Sequence, residues 1–235
     1  MAVYIIGDLH LSFSVDKPMD IFGDKWQGYD KKIKKNWEET VKEEDTVIIA
    51  GDFSWATYLE DTKKDFEFIN NLPGKKILLK GNHDYWWSTI KHMEKFLKAN
   101  NFLNISFLYN NSIKVENIVL VGTRGWALTD LDNTNKMMNR EAIRLELSIN
   151  DAINKYGENC EKIAVMHYPP LIKTDVESLY ENKYLQILKK YNIKKCYYGH
   201  LHGNSHAEAV EGNVYGIDFK LISGDYIDFK MQKIN

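Results

Sequence analysis

Short β-branched runs of strand length alternate with longer helical patterns along this chain, and five of the short runs end in a cluster of Asp, Asn and His. The clusters are Gly7-Asp8-Leu9-His10, Gly51-Asp52, Gly81-Asn82-His83-Asp84, Met166-His167 and Gly199-His200-Leu201-His202. In an open α/β sheet, groups at the carboxyl ends of the strands share one edge. The chain is therefore expected to adopt an α/β fold in which these five segments meet. Val3–Gly7, Thr46–Gly51, Lys76–Lys80, Lys162–Met166 and Lys195–Tyr198 read as the strands that deliver them.

Helices are predicted between these strands. Ile33, Trp37 and Val41 recur every four positions near Tyr29–Lys42, the spacing of one helix face. Further helices are predicted over Thr57–Asn71, stopped by Pro73-Gly74, and over Ser88–Ala99, Met137–Tyr156 and Tyr180–Tyr191. From Ile105 the pattern shortens to Ile105–Leu108, Ile113–Glu116 and Ile118–Gly122, with Asn110-Asn111 as a turn. The tail Ala207–Phe229 reads as short strands split by Gly212, Gly216 and Gly224. The first half is thus expected to be parallel β-α-β and the second mixed, with antiparallel hairpins, all within one domain covering 1–235.

Composition narrows the function classes. The chain has 235 residues, 44% of them hydrophobic, with 14 Gly and 4 Pro, which excludes a disordered or collagen-like chain. A net charge of −2 gives no global positive field, so long nucleic acid and anionic membranes are disfavoured as partners. The apolar run at the start stops at Asp8 with no basic residue before it, so no signal peptide is read there. Two cysteines, Cys160 and Cys196, cannot build a disulfide framework, and a cytoplasmic protein is expected.

The five clusters have the chemistry of a metal site. Five of the 7 histidines lie in them, and imidazoles mixed with carboxylates suit Mn, Fe or Zn better than an all-oxygen Mg or Ca cage. In Asp8-x-His10 and His200-x-His202, side chains two apart point the same way if the backbone is extended. Asp52 offers two carboxylate oxygens, which suits a bridge between two ions.

Taken in order, Asp-x-His, Gly-Asp, Gly-Asn-His-Asp, His and Gly-His-x-His resemble the calcineurin-like metallophosphoesterase superfamily, across Asp8 to His202. The surroundings, Gly51-Asp52-Phe53-Ser54-Trp55-Ala56 and Gly81-Asn82-His83-Asp84-Tyr85-Trp86-Trp87, look most like its uncharacterised bacterial phosphohydrolases. The resemblance implies two packed mixed β-sheets flanked by helices, an αββα sandwich. It also implies two metal ions, one held by Asp8, His10, Asp52 and His202, the other by Asp52, Asn82, His167 and His200. His83 would be the general acid that protonates the leaving group, with Asp84 a candidate to orient it. The expected reaction is hydrolysis of a small phosphate ester, nucleotide-like substrates included, by a hydroxide that the ion pair generates near neutral pH. A phosphodiesterase or nuclease, or a non-catalytic scaffold on the same fold, are the alternatives.

Departures refine this expectation. Leu11 follows Asp8-x-His10 where Gly is often found. Trp55-Ala56 stands where the Ser/Thr protein phosphatases of the superfamily carry Asp-Arg, so a protein phosphatase of that type is not expected. Against 28 Lys the chain has only Arg124, Arg140 and Arg144. Arg124, in Gly122-Thr123-Arg124-Gly125-Trp126, is either a bidentate phosphate clamp or a surface or stacking residue. Trp55, Trp86, Trp87, Trp126 and Tyr168 either wall a pocket or pack the core beneath the strand ends. His92 is read as helix surface, and His206 as a loop histidine. The lysine runs at 31–35 and 189–195 read as solvated faces.

Overall fold

The computed structural model describes residues 1–127, 132–173 and 182–235. Two sheets stack face to face, and the strand patterns explain why. In strands β1 (Val3–Ile6), β2 (Thr46–Ala50) and β3 (Lys75–Leu79), alternate residues face opposite ways. Val3, Ile5, Ile48, Ala50, Ile77 and Leu79 pack into the layer between the sheets, while Ile6, Val47, Ile49 and Leu78 pack under helices. These strands are buried on both faces, as parallel strands covered by helices must be.

The first sheet runs β11-β1-β2-β3-β4, with β4 at Ile105–Leu108 and β11 at Gln232–Lys233. β1 to β4 are parallel, and β11 pairs antiparallel with β1 through Tyr4↔Lys233 and Ile5↔Gln232. The second sheet runs β5-β6-β7-β8-β10-β9: β5 Ile113–Val115, β6 Ile118–Thr123, β7 Glu161–Met166, β8 Lys195–Tyr198, β9 Gly212–Val214 and β10 Ile217–Leu221. Its interior pairs, β6·β7, β7·β8 and β8·β10, are parallel. Within the second sheet, the antiparallel pairing expected of the second half forms the edge hairpins β5–β6 and β9–β10. Tyr215 and Gly216, both at positive φ (57 and 80), form the two-residue turn between β9 and β10, as a tight hairpin requires.

Helices cover both outer faces. α1 (Tyr29–Thr40) buries Ile33 and Trp37, and Trp37 Nε1 donates to Pro73 O at 2.9 Å. The helix predicted over Thr57–Asn71 is split, a 3-10 turn at Leu59–Thr62 preceding α2 (Lys63–Asn70). α3 (Ile90–Ala99) starts where Thr89 accepts from His92 N, and buries Met93 and Leu97. α4 (Asp132–Tyr156) and α5 (Lys183–Lys190) cover the second sheet, with Leu145, Ile149, Ala152, Leu185 and Leu188 in its core. Residues 180 and 181 of the predicted last helix lie outside the described residues. No helix among the described residues is long and apolar enough to cross a membrane.

This topology positions the site. β1, β2 and β3 in one sheet and β7, β8 and β10 in the other all end at the same edge, where Gly7 N donates to Ile222 O at 2.8 Å and links the two sheets.

Candidate metal centre

The strand ends leave regular geometry abruptly. Asp8 (φ 59), His10 (46), Asp52 (50) and His200 (74) all occupy the left-handed region, which Asp, Asn and His tolerate better than most residues but still at a cost. That conformation turns four polar side chains toward one point. Two glycines make the approach possible. A Cβ on Gly81 would fall on Asp52 N and Oδ1, and one on Gly199 would fall on Asp8 Oδ2.

The seven predicted ligand side chains come together. His10 Nε2 and His202 Nε2 face each other at 3.3 Å, and Asp8 Oδ1 lies 3.4 Å from His202 Nε2. On the other side, Asn82 Oδ1 lies 2.6 Å from His167 Nε2 and 2.8 Å from His200 Nδ1. Asp52 Oδ2 stands between the groups, 3.7 Å from His10 Nε2 and 3.4 Å from His167 Nε2. Asp8, His10 and His202 form one set of atoms able to hold a cation, and Asp8, Asp52 and His167 another. So many lone-pair donors aimed at one another, with His10 Nδ1 buried and unpartnered, fit a metal centre.

The protein's own charges are mutually compensated. Burial works to raise Asp8, but His202 foremost, with His167 and His10, together outweigh it and hold the carboxyl below its ordinary range. Asp52 is pushed up to about 8 by burial and then by the charge of Asp8. Burial lowers His10 and His167, and lowers His200 to about 3, so these imidazoles are neutral, the ligating form. His202 behaves oppositely. Burial would lower it, but Asp8 and Asp225 together raise it to about 10.

Asp225 was not among the residues singled out from the sequence. Its carboxylate is buried and accepts from two donors, His202 Nδ1 at 2.8 Å and Gly203 N at 3.1 Å, with His206 Nε2 at ion-pair distance, 3.2 Å. It therefore fixes which nitrogen of His202 faces the centre. A signal was present, since a Gly-Asp pair, Gly224-Asp225, stands two residues beyond β10, much as Gly51-Asp52 follows β2. Trp26 was also missed. Its ring meets those of His10 and His202 edge-on, both at 5.6 Å, while Tyr29 Oη donates to His10 O at 2.7 Å.

The remaining candidates are placed as follows. The His83 ring packs at 4.4 Å from Trp55 and 5.8 Å from His10, and its backbone N–H donates to Asp52 Oδ1 at 2.8 Å. Asp84 is fully buried, and its oxygens are engaged away from the His83 imidazole. It accepts from Gly81 N (2.7 Å), Phe53 N (2.9 Å), Ser54 N (3.3 Å) and Trp86 Nε1 (3.0 Å). It ties the loop after β2 to the loop after β3. Arg124 stacks on Trp126 at 4.6 Å and pairs with Glu141 at 3.6 Å, and Arg140 and Arg144 reach the same carboxylate. Trp86 and Trp87 are core residues. Trp55 is half-buried and lines a cleft with His83, and Tyr168 lies 4.1 Å from the His200 ring.

Comparison with known proteins bears on the fold and the family. Solved structures that share the fold include a protein of unknown function from Aquifex aeolicus (20% identity, TM-score 0.55, covering 99% of this chain and 95% of that one), a phosphopantetheinyl hydrolase from Mycobacterium tuberculosis (10%, 0.56, 99% and 95%) and a Thermus thermophilus protein (13%, 0.55, 100% and 99%). Among curated proteins no match is found. The profile of the calcineurin-like phosphoesterases matches residues 1–204, a span that takes in all five strand-end clusters. With the cluster order, the paired sheets and that match in agreement, this chain belongs to the calcineurin-like phosphoesterase family.

Proposed function

We propose that the chain, as one domain over 1–235, hydrolyses small phosphate esters with two ions of the Mn, Fe or Zn type. Asp8, His10, Asp52 and His202 would hold one, and Asp52, Asn82, His167 and His200 the other, with Asp52 common to both. The observation that carries this reading is the convergence of these side chains, from five strand ends, to within hydrogen-bond or ion-pair distance of one another. When bound, such ions supply positive charge at the phosphoryl oxygens and make a water acidic enough to attack phosphorus.

The chain's own residues do the rest. His83 gives a proton to the leaving oxygen. Its Nδ1 is buried without a hydrogen-bond partner, so the ring is not committed elsewhere among the described residues. Burial first, then His167 and His202, lower its pKa, which makes the imidazolium a better acid. Asp84 acts as a positioning residue, holding the loops of Asp52 and Asn82 in register. Arg124 clamps the phosphoryl group from the Tyr168 side, where it must share its guanidinium with Glu141. Both cysteines are free thiols, which fits a reducing cytoplasm.

The test is a metal-depleted protein resupplied with Mn, Fe or Zn and assayed against aryl phosphate monoesters and diesters, with phosphopantetheine esters added on the example of the mycobacterial neighbour. Ion-dependent hydrolysis of monoesters is the expected result. Preference for the diesters favours a phosphodiesterase, and bound ions without hydrolysis favour a scaffold.

A further inference from the structure

A cleft of about 790 Å³ opens beside the proposed centre, lined by His10, His83 and His202 and by Trp26, Trp55 and Tyr85. Resting on the reading above, its lining says what the ester carries beyond the phosphoryl group. Two of its rings are offered to solvent, Tyr85 at 63% exposure and Phe22 at 55%. Exposed rings beside a reactive centre are suited to a flat or apolar portion of a ligand. Lys17 is the one Lys or Arg in the lining, and no carboxylate lines the cleft among the described residues.

Lys17 is held in an unusual way. Its ammonium lies over the Trp55 ring, 4.6 Å from the centroid, and it forms no ion pair among the described residues. His10 stacks on the same indole at 4.8 Å and 24°. The His83 ring packs on it as well, at 4.4 Å, so the indole carries the ammonium beside two imidazoles of the proposed centre. Lys17 lines the same cleft as His83. A proton from His83 goes to the leaving oxygen, so the group beyond that oxygen occupies this cleft.

We propose that Lys17 is a specificity-determining residue that reads an anionic group on the leaving portion of the substrate. The substrate class is a phosphate ester whose alcohol carries a planar ring and a second negative charge. Trp55 fixes the ammonium by cation–π contact, and the exposed rings of Tyr85 and Phe22 take the planar part. The reaction remains ordinary hydrolysis: water adds to phosphorus, the P–O bond to the alcohol breaks, and the alcohol leaves with one proton.

The test compares 4-carboxyphenyl phosphate with 4-carbamoylphenyl phosphate, which match in shape and differ in charge. The metal-loaded wild-type protein should prefer the carboxylate ester by about fivefold in kcat/KM, the size expected of a partly exposed ion pair. Lys17→Met should abolish the preference, Lys17→Arg should retain it, Lys17→Glu should reverse it, and metal content should be unchanged in all three. Calorimetry should show 4-hydroxybenzoate binding more tightly than 4-hydroxybenzamide to wild type but not to Lys17→Met. Absence of any preference in wild type, or its persistence in Lys17→Met, would overturn the proposal. So would an equal loss for both esters, which would place Lys17 on the shared phosphoryl group. Hydrolysis of neither ester would instead overturn the phosphoesterase reading, and the proposal with it.

Discussion

Asp225→Asn should weaken metal binding at His202 by about 10–100-fold, or about 1.4–2.7 kcal/mol, while the chain stays folded. The magnitude follows from what the carboxylate holds. One oxygen accepts from His202 Nδ1 at 2.8 Å, and the other accepts from Gly203 N at 3.1 Å. Asparagine keeps one acceptor and turns an amide N–H₂ toward the Gly203 N–H or the His202 imidazole N–H, donor against donor. The negative charge that favours His202 in the orientation presenting Nε2 is lost as well. Competition against a chromophoric chelator measures the affinity, and thermal unfolding of metal-free protein checks the fold. A double-mutant cycle makes the test specific. In a His202→Ala background, Asp225→Asn should cost little further, because the two residues act through one contact. Unchanged affinity, or the same loss in both backgrounds, would refute the reasoning.

Four further outcomes are expected. His83→Ala should retain metal but lose about 10²–10⁴-fold in kcat on alkyl phosphates, and much less on nitrophenyl phosphate, whose leaving group needs no proton; equal losses would move the acid elsewhere. Asp52→Asn should weaken both ions together in a metal titration, and loss of only one would show that it is not shared. Arg124→Ala should raise KM without changing metal content if the guanidinium clamps phosphate, whereas lower stability with unchanged kinetics would assign it to Glu141 and Trp126. Lys76, fully buried with its ammonium on Leu72 O, is lowered by burial from 10.5 to about 8. The fold disfavours its charged form, so stability should fall by on the order of 3 kcal/mol as pH drops from 10.5 to 8 and then level off; chemical denaturation of Lys76→Met should show that pH dependence removed.

The predicted ligands were legible because each sits at the end of a strand whose apolar pattern is visible by itself. Val3–Ile6 and Thr46–Ala50 need no partner to be recognised, and parallel pairing then brings Asp8 and Asp52 to one edge. Asp225 depended on β10 crossing over to lie parallel to β8, a pairing its short local pattern does not specify. β11 is two residues long and exists only because β1 offers it an edge. Lys17 and Trp26 lie between β1 and α1, Trp26 ending a three-residue 3-10 turn (Asp24–Trp26), where no long periodicity shows side-chain direction and tertiary contacts with Trp55 and His10 set it. Asp84 was legible as a motif residue but not in its contacts. Its neighbour in sequence is His83, yet its side chain turns to the backbone of Phe53, Ser54 and Gly81.

The central claim is that the converged side chains form a two-ion hydrolytic centre. Titrating metal-free protein with Mn, while following free Mn by its EPR signal and hydrolysis of a phosphomonoester in the same samples, tests it most directly. Two ions should be taken up per chain, with activity appearing as the second one binds. Hydrolysis without added metal, saturation at one ion per chain, or uptake of two ions with no hydrolysis of any phosphate ester would contradict it.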